Sequence, residues 1–126
     1  MKELTRAEEE IMQVLWEIEK GFVRDVIDRL PDPKPAYTTV STIIRILEKK
    51  GFVGYKAFGK THRYFPLVEK KAYTRQLFRG MLNNYFGNSV QQMVSFFSRD
   101  KDLSVSDLEA MKKIIDDEIR RQEGVE

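Results

Sequence analysis

The feature that most constrains the fold of this chain is a change in apolar spacing after Gly51. Before it, apolar side chains recur at helical spacing in three separate stretches, whereas residues 52–58 and 61–67 are short, aromatic and β-prone. Gly59-Lys60 between them fits the Gly-X turn of a two-residue hairpin. We therefore expect three helices followed by a β-hairpin within the first 67 residues.

The three expected helices have recognisable ends. The first starts at residues 5–8, which have the Thr-x-x-Glu pattern of a capping box, and should end at Gly21. The second, over residues 22–30, is stopped by the prolines of residues 31–35. The third runs from residue 37 or 38 to residue 50, just before a glycine suited to the C′ position.

Three helices followed by a hairpin is the order of a winged helix-turn-helix domain, whose third helix enters the major groove. The face of this helix opposite its apolar positions carries hydroxyl, Arg and Lys side chains, which can bind base edges and phosphates. The hairpin is the wing, in which Lys56 should lie opposite Arg63, a repulsion that a polyanion would relieve. The predicted DNA-binding residues are Thr38, Thr39, Ser41, Thr42, Arg45, Lys49, Lys56, Lys60, Thr61 and Arg63.

Basic side chains are concentrated in the same part of the chain. Residues 34–71 contain nine basic and two acidic side chains, a net charge of +7, although the whole chain of 126 residues carries only +2. A basic segment that coincides with the third helix and the wing favours binding of double-stranded DNA. The alternative is a solvated face whose acidic partners lie elsewhere in the sequence.

The remaining residues, 68–126, are expected to be helical. The apolar stripe of the helix over residues 69–86 is wider than one small neighbour needs, and Ser89 and Ser104 begin two more helices. We expect a dimerisation segment attached to the DNA-binding domain of residues 1–67, and a two-fold dimer would read an inverted repeat. The alternative is a monomer whose helices pack on the first domain. The predicted dimerisation residues are Tyr73, Leu77, Phe78, Met81, Leu82, Tyr85, Phe86, Val94, Phe97, Leu108, Met111 and Ile115.

The composition excludes several other classes. The chain has no Cys and one His, so thiolate or multi-histidine metal sites, disulfides and cysteine nucleophiles are excluded, and we expect no metal and no cofactor. His62 has no paired nucleophile nearby in sequence, so we expect no enzyme. No apolar run is long enough for a membrane span and the N-terminus lacks an apolar leader, so we expect neither a transmembrane helix nor a signal peptide.

Three stretches carry a resemblance to a known family. Leu4, Glu8, Ile11, Met12, Leu15 and Trp16 resemble the opening of the penicillinase-repressor family of the BlaI/MecI type. YTTVSTIIRILEKKGFV, residues 37–53, resembles its recognition helix and the entry to the wing, and GKTHRYFPLV, residues 59–68, resembles its wing. The tail also resembles the family at Gly87, at Ser89 and at the helix start of Leu103-Ser104.

This resemblance implies a cytoplasmic homodimeric repressor of inverted-repeat operators, with Thr39, Thr42 and their neighbours at the DNA. The chain departs from the family at Ile46, where Arg is common, and at Phe96-Phe97, which stands where antibiotic-responsive members have a cleaved Asn-Phe bond. Copper-sensing relatives use Cys in the tail, so the absence of Cys excludes this way of sensing an inducer. Besides DNA and a second copy of the chain, the resemblance implies one further partner, which is a sensor protease or another inducer.

Two other functions fit the same pattern. A winged-helix regulator controlled by a small molecule would need an effector pocket, which the aromatic stripe of Tyr73, Phe78, Tyr85 and Phe86 could line. We favour the dimer core, because aromatic stripes at helical spacing are usually packing surfaces. A winged-helix module that binds protein is the second alternative, and the basic segment argues against it.

Overall fold

The computed structural model of the chain describes residues 2–124, in which six helices and one two-stranded hairpin are formed. This confirms the predicted class, a mostly helical winged helix-turn-helix fold with one small hairpin. The elements are α1 (Arg6–Ile18), α2 (Val23–Arg29), α3 (Tyr37–Lys49), β1 (Val53–Phe58), β2 (Thr61–Pro66), α4 (Lys70–Phe86), α5 (Val90–Ser98) and α6 (Val105–Gln122).

The start of α1 is the capping box that the sequence predicts. The Glu8 amide donates to the Thr5 hydroxyl at 3.2 Å, and the Thr5 amide donates to Glu8 Oε1 at 2.8 Å. The predicted end at Gly21 is wrong, because α1 stops at Ile18. Gly21 instead forms a short bridge to Tyr64 of β2, with N–O distances of 2.9 and 2.8 Å. A Cβ at position 21 would lie 2.7 Å from Ile18 Cδ1, so any other residue here would require the Ile18 side chain to shift.

The hairpin has the register expected from a turn at Gly59-Lys60. Phe58 pairs with Thr61, and Lys56 lies directly opposite Arg63. Gly59 has a φ of +64°, a value that glycine adopts without strain. The base of the hairpin enters the core, because Val53 of β1 and Tyr64 of β2 are buried.

The chain divides into two compact units, the first ending at Phe78 and the second beginning at Arg79. The division lies within α4, beyond the expected boundary at residue 67. The core of the first unit is apolar and includes parts of α1, α2, α3, the hairpin and α4. Its buried side chains are Leu4, Ile11, Met12, Val14, Leu15, Val23, Val26, Leu30, Val40, Ile44, Leu47, Phe52, Val53, Tyr64 and Tyr73.

Tyr73 corrects the list of predicted dimerisation residues. Its side chain is 2% exposed, and its ring lies 5.6 Å from the ring of Phe52 and 6.1 Å from that of Trp16. Its hydroxyl accepts a hydrogen bond from the Leu4 amide at 2.8 Å. Tyr73 is therefore a core residue of the first unit, and its side chain has no surface left for a second copy.

The second unit contains the rest of α4 together with α5 and α6. None of the described residues of α5 and α6 is buried within the chain. The rings of Phe86 and Phe96 pack at 5.6 Å, but most apolar side chains of the unit keep a large exposed surface. The exposed ones are Met81, Tyr85, Val90, Val94, Phe96, Phe97, Val105, Ile114, Ile115 and Ile119.

Candidate nucleic-acid interface

One face of α3 anchors the helix and the opposite face is open. Val40, Ile44 and Leu47 are at most 1% exposed and hold α3 against the core. At 100° per residue, the residues pointing away from this row form one continuous polar face with a single apolar member. Its exposed members are Thr38, Thr39, Thr42, Arg45, Ile46 and Lys49, and Ser41 lies half-buried at its border.

Two of the predicted hydroxyl donors are already engaged with the backbone. Thr42 Oγ1 donates to the Thr38 carbonyl at 2.9 Å, and Thr61 Oγ1 donates to the Phe58 carbonyl at 2.9 Å across the hairpin turn. These hydroxyls can still accept hydrogen bonds, but their hydrogens are occupied. Thr42 and Thr61 thus offer an acceptor oxygen and a methyl group to a ligand.

A cleft of about 390 Å³ joins α3 to the second strand of the wing. It brings three predicted DNA-binding residues, Ser41, Arg45 and Thr61, around one opening. The residues that line it include Arg24, Tyr37, Ser41, Arg45, Thr61 and His62.

Arg45 and Tyr64 both line this cleft. Burial raises the pKa of the Tyr64 phenol and the Glu48 carboxylate raises it further, while the charge of Arg45 and a hydrogen bond from it act in the opposite direction. With its pKa raised, the Tyr64 phenol stays protonated at neutral pH. Since a guanidinium has five N–H donors, Arg45 keeps donors free for bases or phosphates.

The wing presents its cations around an aromatic ring. Lys56 Nζ lies 5.4 Å and Arg63 Cζ 4.8 Å from the centre of the Phe58 ring, and the Phe22 ring meets Phe58 edge-on at 5.7 Å. The ring face attracts both cations and offsets part of their mutual repulsion. Lys60 at the turn is exposed, as expected of a wing tip.

Three residues beside this surface, Arg24, Tyr37 and His62, are not among the predicted DNA-binding residues. The Arg24 guanidinium lies 5.7 Å from the ring centre of Tyr37, and both residues line the cleft. The His62 ring stacks on Tyr55 at 4.1 Å with the planes 8° apart. Arg24 lies outside the basic segment of residues 34–71, and only the tertiary structure brings α2 beside α3. The sequence predicts the position of His62 on β2, but not its stacking partner.

The cations of the basic segment have almost no acidic partners within the described chain. Of its nine basic residues, only Lys50 forms an ion pair in residues 2–124, with Glu8 Oε1 at 2.7 Å. Lys34 donates to the carbonyls of Asp28 and Leu30 at the end of α2. The alternative of acidic partners elsewhere in the sequence therefore holds for Lys50 alone. Within residues 2–124, the cations of the segment without an acidic partner are Lys34, Arg45, Lys49, Lys56, Lys60, Arg63, Lys70 and Lys71.

A helix-turn-helix pair, a hairpin wing and an open, basic recognition face define a winged-helix DNA-binding regulator. The model of one family, penicillinase repressor, matches residues 4–117. The chain belongs to the penicillinase-repressor family, which consists of DNA-binding transcriptional repressors and not of enzymes.

Relatives and solved structures agree with this assignment. The methicillin resistance regulatory protein MecI of Staphylococcus aureus (strain N315) is 26% identical over 114 residues, covering 90% of this chain and 93% of its own. The penicillinase repressor of Bacillus licheniformis is 23% identical over 121 residues, covering 95% of this chain and 94% of its own.

Among solved structures, the DNA-binding domain of the repressor BlaI matches 58% of this chain and 94% of its own with a TM-score of 0.50 and 27% identity. The hsRosR-S4 complex structure matches 96% of this chain and 94% of its own with a TM-score of 0.55 and 20% identity, a likeness of fold. Within the described residues, no helix is both long and apolar enough to span a membrane.

Proposed function

We propose that the protein represses transcription by binding, as a homodimer, to an inverted repeat in double-stranded DNA. The observation that carries the proposal is the basic segment that spans α3 and the wing. Its cations, Lys50 excepted, lack acidic partners in residues 2–124. α3 would enter the major groove, and the wing cations would bind phosphates or the minor groove. A repressor works where the DNA is, so we place its action in the cytoplasm.

A second copy of the chain is the proposed cover for the apolar surface of the second unit. Met81 is 51%, Tyr85 79% and Phe97 50% exposed within the single chain. Exposed apolar side chains that recur over three helices exceed the isolated ones normal for a monomer surface. Of the predicted residues, Leu77, Phe78, Val94 and Ile115 are also exposed, and Leu82, Phe86, Leu108 and Met111 are half-buried.

The oligomeric state can be tested on one helix with a matched pair of variants. Met81→Asp places a charge on the exposed apolar row of α4, whereas Asn83→Asp places it on the opposite face. Sedimentation velocity should show a dimer for the wild type and Asn83→Asp, and monomers or aggregates for Met81→Asp. A well-behaved wild-type monomer would refute the dimer.

The DNA target can be found by selection of bound sequences from random double-stranded DNA. The selection should yield an inverted repeat whose half-sites lie about one helical turn, roughly 10–10.5 bp, or a multiple of it apart. Retention of DNA without any common sequence, and its loss at modest salt, would instead favour a module that binds protein.

The inducing partner is the remaining part of the proposal. Phe96 and Phe97 of α5 are both at least half exposed, but neither is Asn. We therefore propose an inducing signal other than proteolysis at an Asn-Phe bond.

A further inference from the structure

Ile46 is the apolar member of the otherwise polar open face of α3. It is 40% exposed, and it lies one turn from Thr42 and two turns from Thr39. The buried row of α3 faces the other way, so Ile46 does not contribute to the core. With α3 in the major groove, Ile46 would bring a branched apolar side chain to the base edges.

Thr42 adds a second apolar group beside Ile46. Its hydroxyl hydrogen is engaged with the Thr38 carbonyl at 2.9 Å, which leaves the methyl and an acceptor oxygen for a ligand. The side chains of Thr39, Thr42 and Ile46, which we call the methyl row, follow one another along about two turns of the exposed face.

The thymine C5-methyl is the apolar group that base pairs present in the major groove. We propose that Ile46 determines specificity by packing on a thymine methyl in each half-site, with the methyl of Thr42 beside it. Arg45, on the flank of the same face, supplies hydrogen bonds, and the methyl row supplies the preference for thymine over other pyrimidines. This inference rests on the proposed function, because it requires α3 to lie in the major groove.

Deoxyuridine provides a direct test, because it lacks only the methyl group and keeps the hydrogen-bonding pattern of thymidine. The probe is the selected inverted repeat with each thymidine of the half-sites replaced in turn by deoxyuridine. At the contacted position, wild-type affinity should fall about fourfold for each methyl lost, the effect of transferring one methylene to water. Ile46→Ala should bind the thymidine and the deoxyuridine versions of the site with nearly equal affinity.

Two further variants separate methyl contact from a general loss of binding. Lys60→Ala, at the wing tip, should weaken binding to both DNAs in the same proportion and keep the thymidine preference. Ile46→Val retains a branched apolar side chain and should keep most of the preference. Because Ile46 is exposed, Ile46→Ala should unfold at the same urea concentration as the wild type, and binding can be compared at equal folded fractions.

The outcomes distinguish this inference from the proposed function. If the wild type prefers the selected site over scrambled DNA but binds thymidine and deoxyuridine equally, methyl reading is overturned and the repressor function stands. If Ile46→Ala keeps the full thymidine preference, Ile46 is not the specificity residue. If no sequence is preferred at all, the proposed function itself fails.

Discussion

Replacing Glu8 by Gln tests whether the ion pair between α1 and the end of α3 stabilises the first unit. Glu8 is 4% exposed, and its Oε1 accepts from the Thr5 amide at 2.8 Å and from Lys50 Nζ at 2.7 Å. Glu8 therefore caps α1 and also ties it to the end of α3. A glutamine at this position would keep the size of the side chain and one acceptor oxygen, and would remove the charge that Lys50 faces.

The expected loss of stability follows from the burial of both partners. Removing one member of a buried ion pair costs about 3–5 kcal/mol, because the other charge is left without compensation. The Lys50 side chain is 20% exposed and retains some water, so we expect about 2–3 kcal/mol for Glu8→Gln. Glu10→Gln is the matched control on the same helix. Glu10 pairs with Arg6 at 3.7 Å on the surface, and its loss should cost about 0–1 kcal/mol.

The loss should also depend on pH. Burial alone would raise the pKa of Glu8, but hydrogen bonds from Lys50 and Thr5 and the Lys50 charge outweigh it and hold that pKa below its ordinary value. The stabilisation is therefore fully present above the unfolded pKa of about 4.3, and disappears as the pH falls through the lower pKa of the folded protein. Wild type and Glu8→Gln should then converge.

Urea unfolding followed by circular dichroism measures both effects. At pH 7 the unfolding midpoint of Glu8→Gln should lie clearly below those of the wild type and Glu10→Gln. Equal midpoints for Glu8→Gln and Glu10→Gln at pH 7 would refute the role of the buried pair. A difference from the wild type that stays constant down to strongly acidic pH would refute the pKa argument.

Three further predictions concern the core and the DNA surface. Tyr73→Phe leaves the Leu4 amide without its acceptor and should cost about 1–3 kcal/mol in the free energy of unfolding, measured in urea; an unchanged midpoint would contradict this. Arg45→Ala should cost roughly 1–3 kcal/mol on the selected site and much less on random DNA if Arg45 reads a base, or equal amounts on both if it binds phosphate. An unchanged affinity for both DNAs would exclude this face of α3 from the groove. Lys60→Ala should reduce the slope of log affinity against log salt by about 0.9, and an unchanged slope would remove Lys60 from the phosphate contacts.

Features set by neighbours in sequence could be predicted from the sequence. The capping box at Thr5 and the Lys56–Arg63 pairing depend on residues a few positions apart, so their patterns carry the local geometry. The order of three helices and a hairpin then predicts the winged-helix fold, because few arrangements of these elements bury all of their apolar faces.

Features that depend on distant partners could not be predicted in the same way. An apolar stripe shows that Tyr73 is buried but not against what, and the answer is Trp16 and Phe52 of its own chain. Likewise Lys50, one of the nine basic residues of the segment, pairs with a carboxylate 42 residues away. The sequence identifies the side chains at the open face of α3, but the engaged hydroxyl hydrogen of Thr42 depends on a rotamer that no residue pattern specifies.

Hydroxyl-radical footprinting of the wild-type protein on its selected DNA site tests the central claim most directly, because it maps where both copies lie on one duplex. A homodimer that places α3 in the major groove and the wing beside it should protect two tracts symmetric about the centre of the repeat. Their centres should lie about one helical turn, roughly 10–10.5 bp, or a multiple of it apart. A single tract without a symmetry centre would contradict the account, as would protection that is the same on unrelated DNA.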